Sequence, residues 1–505
     1  MQYLKDILKR FEHLRTQPQF LIVFVGTLVR LPLLTNSLAY ATDAWRQADT
    51  ASIAYHFYAN GFKLFYPQIF WGGSGPGYVE TEFQLYTFLV AILYRFLGES
   101  LWLGKLVSLL FSIAAWLIFY LLAEKVLGER RLALWALGFL VFSPLYIRYS
   151  VAYMPEAAVM PFYIAALYFF VKWTSTSDRS DLFLAALSTA LAILVKPTSI
   201  LIGLVFLLLG LDRLGRGLFR RWEVYAAAAI ALLPGIAWYW HARNLYLTYG
   251  NTFGLFSGGD SKFGNLQLWL QPHLYYHLPY LDWKWILGYG AILLFLAGAG
   301  IAVKRREFRL IVFGIVSVGL YYWIVARYAH EEWGIQYHVY MLPFAALAVG
   351  LGVKWVAGRK WKFMRLNLLG FSTSIFFITS AFFFFEILIA VGNPLAACGN
   401  SVRRVVPQGQ LIIVSTTSTA SEFGVQNNYQ EPQIFFYGKR YGWSLPANWH
   451  NVEKLTEYRN AGAAFFVIYS KELLDANPAL QEYLDQNSIQ VGPGIEKGCA
   501  IYRLP

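Results

Sequence analysis

The chain has 505 residues, 57% of them hydrophobic and 14% charged, with a formal net charge of +13. Soluble domains carry roughly 25% charged residues, so a soluble fold of this length could not cover so much apolar surface, whereas a bilayer can. The basic residues cluster between apolar runs rather than along one soluble face, which excludes a nucleic-acid-binding surface and fits loops held in the cytoplasm.

In chain order, Lys5, Lys9, Arg10 and Arg15 precede the first apolar run, and no small-residue cleavage site follows it. This reads as a signal anchor with a cytoplasmic N-terminus. Apolar runs predict spans near 19–36, 103–126, 132–147, 157–173, 181–195, 198–211, 223–240, 284–303, 309–326, 338–357 and 366–391. Phe83–Leu97 is ambiguous. If it does not cross, all five basic clusters fall on one side of the membrane; if it crosses, the N-terminal cluster parts from the other four. The positive-inside rule therefore favours about eleven spans, with Phe83–Leu97 lying along the surface.

This topology puts the first loop, from Thr35 to about Leu101, outside the cytoplasm, together with everything after Gly392. Residues 1–392 read as an all-α membrane domain and 393–505 as a small periplasmic or extracellular α/β domain. Strands are predicted over Leu411–Val414, Ile434–Tyr437, Ala464–Tyr469 and Cys499–Tyr502, and helices over Lys471–Leu474 and Ala479–Leu484. The two cysteines, Cys398 and Cys499, can either form a disulfide across this domain or stay as thiols.

The chemistry-bearing residues concentrate at the external ends of the spans. Asp43, Arg46 and Asp49 open the first loop, and at three-residue spacing Asp43 and Arg46 share a helical face. A carboxylate there can act as a general base and an arginine can hold a phosphate; equally, the group can be a capped, solvated helix start. Glycines 72, 73, 75 and 77 read as a flexible hinge rather than a phosphate cradle, since no lysine-containing loop follows. Glu80 and Glu82 stand at the entrance to the Phe83–Leu97 run, where they can cap a helix or line a site. Glu156 follows Pro155 where a span re-enters the membrane, and Lys196 lies between two apolar runs, so it can bind a phosphate or snorkel to the interface. His273 and His277, four apart, are too few for a metal site by themselves. The polar and aromatic stretch from Arg327 to Tyr340 can contact a sugar or headgroup, or form an interfacial aromatic belt.

In their order and common sidedness these motifs resemble the lipid-sugar-dependent glycosyltransferases of the GT-C fold. The nearest likeness is to family 39, the protein O-mannosyltransferases and the lipid A aminoarabinose transferase. Asp43 and Arg46 match that family's catalytic aspartate and its arginine. Tyr78 to Leu97 resembles the Glu-Lys-Pro-Pro surface helix with Glu80 at the glutamate, and Glu156 takes the place of the second acid. Lys196 matches a phosphate-binding lysine, and Tyr340-Met341-Leu342-Pro343 a late Tyr-x-x-Pro element. Thr81 replaces the motif's lysine and Glu82-Phe83 its prolines, which puts that enzyme's own donor or acceptor in doubt.

The resemblance implies an inverting transferase in a bacterial inner membrane, taking sugar from a polyprenyl-phosphate donor to a hydroxyl of a glycolipid, glycan or protein. Asp43 would be the base, and Arg46 and Lys196 would hold the donor phosphate. Asp49, Glu80, Glu82, Glu156 and Tyr340 would orient acceptor or sugar. No cofactor is expected, and a metal-independent reaction is favoured over one using a divalent ion. The rival reading is a polar-lipid or glycolipid transporter, which would keep its charges near the bilayer midplane in repeated, broken helices.

Overall fold

A computed structural model describes residues 17–38, 43–254, 262–357, 362–390, 393–418 and 430–505. The chain divides into two compact units. One comprises Met1–Thr35, Lys105–Ile236 and Lys262–Ile389; the other comprises Asn36–Gly104, Ala237–Ser261 and Ala390–Pro505.

The fold is an all-α membrane part with a small α/β segment at the C-terminus. Among the described residues eight helices are long and apolar enough to cross a bilayer. The other three expected spans fall on shorter helices. Arg130–Phe142 is broken after Ser143, because Pro144 offers no N–H and turns the preceding residue out of helical geometry, and Pro144–Tyr149 continues the run. Arg179–Val195 begins at Asp178, whose side chain accepts from Ser180 N, and ends before Lys196-Pro197. Ile292–Lys304 follows a π-helical turn at Asp282–Ile286.

Small residues set the closest helix contact in this first unit. A Cβ added at Gly298 would lie 1.8 Å from Ala348 O, and one at Gly352 would lie 1.9 Å from Leu294 O. The Ile292–Lys304 and Leu342–Ala357 helices therefore touch backbone to backbone, the arrangement that glycine permits between helices in lipid. Arg30 is buried in the same unit and spends its guanidinium on Gly26 O (2.9 Å), Val141 O (2.5 Å) and the Ser150 hydroxyl.

The second unit gathers the first loop, residues 237–261 and the C-terminal segment. Its Leu85–Leu97 helix has 13 residues and so extends about 20 Å. Two short strands, β1 (Val79–Glu80) and β2 (Asn251–Thr252), pair in parallel across the loop. The glycines ahead of β1 include a tight turn at Gly77. Gly77 sits at φ +70° with Ile69 O only 2.3 Å from where a Cβ would be, and Ile69 N donates to Gly77 O (2.9 Å).

The C-terminal segment carries strands β3 (Leu411–Ser415), β4 (Gly442–Leu445), β5 (Ala463–Ile468), β6 (Ile489–Gln490) and β7 (Ala500–Arg503) in the order β4-β3-β5-β7-β6. β3 pairs in parallel with β4 and β5, while β7 runs antiparallel to β5 and β6. Ile413, Leu445, Phe466, Ile468, Leu480 and Leu484 fill the core.

One expected strand is a helix. Ile434–Tyr437 lies in Pro432–Gly438, which starts on Pro432 with Glu431 accepting from Gln433 N and closes on Lys439 in the left-handed conformation. Cys398 and Cys499 form a disulfide, joining the Pro394–Val405 helix to the residue before β7.

Candidate functional site

In the second unit the candidate residues sit on the Asp43–Ala59 helix and on the segment around β1. Asp43 is the first residue of that helix, and its side chain lies outside the described residues. One turn on, Arg46 Nη2 donates to both oxygens of Glu82, at 2.7 Å each, and its guanidinium lies 4.6 Å from the Phe253 ring centroid. Thr81 adds a hydroxyl bond to Glu82 Oε2 (2.6 Å). Burial pushes the Glu82 carboxyl up, but Arg46 and the Thr81 hydroxyl outweigh it and hold the group down at about 2.

Asp49 lies a further turn along and is completely buried. Trp71 Nε1 donates to its Oδ1 at 2.8 Å, while Oδ2 has no hydrogen-bond partner among the described residues. Burial dominates here and pushes the Asp49 carboxyl up to about 7, even with the Trp71 bond and Arg46 opposing. Two carboxylates beside one arginine thus take opposite protonation habits, Glu82 charged and Asp49 poised near neutrality.

A stability effect follows from Asp49. Its folded pKa is raised, so its contribution is fully present below the unfolded value near 4 and is lost as pH climbs towards about 7. Replacing Asp49 by Asn should flatten the pH dependence of the melting temperature between about pH 4 and 7, where the aspartate contributes a slope of up to about 1.4 kcal/mol per pH unit. Parallel melting curves for both proteins across that range would refute the shift.

Glu80 is fully buried and receives the Thr252 hydroxyl across the β1–β2 pair, with Phe253 N donating to its carbonyl (3.0 Å). Thr81, standing where the resemblance expects lysine, also accepts Trp238 Nε1 on its carbonyl (3.1 Å).

The C-terminal segment reaches the same helix. Trp45 Nε1 donates to Gln430 O (2.6 Å), and Lys439 Nζ sits 2.7 Å from Glu99 and 3.9 Å from the Tyr55 ring centroid. Gly442 N donates to Phe70 O (3.1 Å) and Gly73 N to Gly442 O (2.8 Å). Glu431, next to Gln430, is a buried carboxyl raised to about 7 by burial, with the charge of Asp49 adding to the rise. Sequence reasoning missed Trp71, Thr252, Phe253 and Glu431. Trp71, Thr252 and Phe253 act across long separations and stand in no recognisable local motif, while Glu431 shows locally only as the cap before Pro432.

In the membrane unit, Glu156 begins the Glu156–Thr176 helix and Lys196 ends Arg179–Val195. Their side chains meet, Lys196 Nζ to Glu156 Oε1 at 2.5 Å, with 8% and 4% of their surfaces exposed. Lys196 does not snorkel. Its ammonium lies 5.4 Å from the Tyr337 ring centroid, and Glu156 Oε2 is without a partner among the described residues. The 3₁₀ turn Pro197–Leu201 then presents Thr198 and Ser199 to the Tyr340 hydroxyl, at 3.1 and 2.8 Å.

The His273 and His277 rings lie tilted to one another with centroids 4.6 Å apart, and His277 Nδ1 meets the His330 carbonyl at 2.5 Å. Among the described residues no group of three or more His, Cys, Asp or Glu is arranged to hold a metal ion.

Residues 84–240 match the family described as dolichyl-phosphate-mannose-protein mannosyltransferase. No curated protein matches the chain. Among solved structures, ArnT from Cupriavidus metallidurans bound to undecaprenyl phosphate superposes with a TM-score of 0.66 at 14% identity, covering 96% of this chain and 97% of that one. The archaeal oligosaccharyltransferase AglB from Archaeoglobus fulgidus, in complex with an inhibitory peptide and a dolichol-phosphate, gives a TM-score of 0.59 at 11% identity, covering 90% of this chain and 69% of that one. The chain therefore has the GT-C fold, and over residues 84–240 it carries the pattern of the dolichyl-phosphate-mannose-protein mannosyltransferase family.

Proposed function

We propose that this protein is an inverting glycosyltransferase that moves a sugar from a polyprenyl-phosphate donor to an acceptor hydroxyl on a glycolipid, glycan or protein. The observation that carries the reading is the fold, matched over nearly the whole length of a protein that binds undecaprenyl phosphate. The Asp43–Arg46 pair at the head of the first-loop helix supports it. The reaction runs on the external face of a bacterial inner membrane, with the N-terminus and the basic loops in the cytoplasm.

Asp43 takes the proton of the acceptor hydroxyl as its oxygen attacks the anomeric carbon. The bond from that carbon to the phosphate oxygen breaks, polyprenyl phosphate leaves with the electron pair, and the anomeric configuration inverts. Arg46 and Lys196 stabilise the departing phosphate. Within its own unit each is held by a carboxylate, Arg46 by Glu82 and Lys196 by Glu156. Asp49, Glu80, Glu82, Glu156 and Tyr340 orient sugar and acceptor hydroxyls.

The test is transfer by purified protein in nanodiscs from a panel of polyprenyl-phosphate sugars, read as released polyprenyl phosphate. Asp43→Asn is expected to lower the rate at least about 100-fold with the melting temperature unchanged. An unaltered rate would remove Asp43 as the base. Movement of intact lipid-linked sugar without its cleavage would replace the whole reading with transport.

A further inference from the structure

Within the membrane unit an apolar groove of about 350 Å³ runs along one face of the Arg130–Phe142 helix. Arg131, Trp135, Gly138, Phe139 and Phe142 recur there at three- and four-residue spacing. From Arg131 to Phe142 this wall is about 16 Å long. The far end is closed by rings of the Lys362–Ile389 helix, with Phe139 stacked on Phe376 at 4.8 Å and Phe142 edge-on to Phe377 at 5.7 Å. A Cβ placed at Gly138 would meet nothing within 4 Å, so the middle of the wall is open.

The other end is cationic. Arg131 is the one charged residue lining the groove; it is exposed and makes no hydrogen bond or ion pair among the described residues. It also lies in the first turn of its helix, where backbone N–H groups favour an anion. The residue ahead of that helix, Glu129, does not cap it; its carboxylate pairs instead with Lys354 at 2.6 Å. Arg130 is engaged by Gln19 (3.2 Å).

We propose that this groove is a binding site for an anionic glycerophospholipid, with one acyl chain laid along the Arg130–Phe142 helix and the phosphate on Arg131. The apolar wall offers water no partner, so hydrocarbon fills it. The unpaired guanidinium at the mouth selects the headgroup charge. The positive-inside rule puts Arg131 with the cytoplasmic clusters, where anionic lipids are enriched and each surface Arg adds to their attraction. That is the side opposite the one where the donor phosphate is placed above, which argues for a phospholipid rather than the donor. The site stands independently of the transferase reading.

Native mass spectrometry of the purified full-length chain, titrated with 1-palmitoyl-2-oleoyl phosphatidylglycerol and separately with the matching phosphatidylcholine, tests the site. The wild type is expected to retain one phosphatidylglycerol in preference to phosphatidylcholine. Arg131→Gln should weaken that retention about fivefold without changing phosphatidylcholine. Gly138→Leu, which fills open space, should lower retention of both lipids. Equal retention of the two lipids by the wild type, or wild-type retention in both variants, would overturn the site. Displacement of phosphatidylglycerol by equimolar undecaprenyl phosphate would also overturn it, since the occupant would then be an isoprenoid chain.

Discussion

Replacing Lys196 by Met is expected to destabilise the protein by about 3–5 kcal/mol, and adding Glu156→Gln should recover most of that loss. The ammonium and carboxylate stand 2.5 Å apart with 8% and 4% of their side chains exposed, so neither reaches bulk water. Without Lys196 the buried Glu156 carboxyl loses its counter-charge, and desolvation, not the lost attraction, sets the cost. The neutral Met–Gln pair carries no such charge. Thermal unfolding of the wild type, both single variants and the double variant in one detergent closes the cycle. A single-variant cost below about 1 kcal/mol would mean the pair is hydrated and not a buried unit.

The same cycle separates structure from chemistry. If the pair also serves the reaction, Lys196 on the donor phosphate and Glu156 on sugar or acceptor, the double variant regains its melting temperature but not its transfer rate. If the pair only braces the helix ends, both return together. Only the first outcome agrees with the role proposed here.

Much of the membrane architecture was legible because it depends on apolar run length, which one sequence displays directly. Charge bias was the sequence's argument for withdrawing Phe83–Leu97 from the spans, and the segment forms a 13-residue helix over Leu85–Leu97. The site was legible only in part. Spacing put Arg46 on the face of Asp43, but Arg46 bonds Glu82, 36 residues on. Glu80 meets Thr252 through a two-residue strand pair joining segments 172 positions apart. No local period encodes such a contact. Ile434–Tyr437 failed for a different reason. Four apolar residues fit a strand or a buried helix equally, and the Glu431-Pro432 start signal outweighs them.

Loss of the Cys398–Cys499 disulfide should destabilise the C-terminal segment by about 2–5 kcal/mol. The two cysteines are 101 residues apart, and a crosslink closing a loop of that size removes about 4.7 kcal/mol of unfolded-state entropy on the chain model. The bond joins the Pro394–Val405 helix to β7, which pairs with β5 in the middle of the sheet, so the sheet should loosen as a whole when it is cut. Gly442 and Gln430 bond to the first loop at Phe70 and Trp45, so protection of the Asp43–Ala59 helix should fall as well. Hydrogen exchange with and without reductant measures both effects, and an unchanged pattern in that helix would show the two segments fold independently. The bond also reports topology. A disulfide persists in an oxidising compartment and is reduced in the cytoplasm. In intact cells, maleimide should label neither cysteine until reductant is added. Labelling of both without reductant would put the C-terminal segment in the cytoplasm and reverse the orientation on which the external reaction depends.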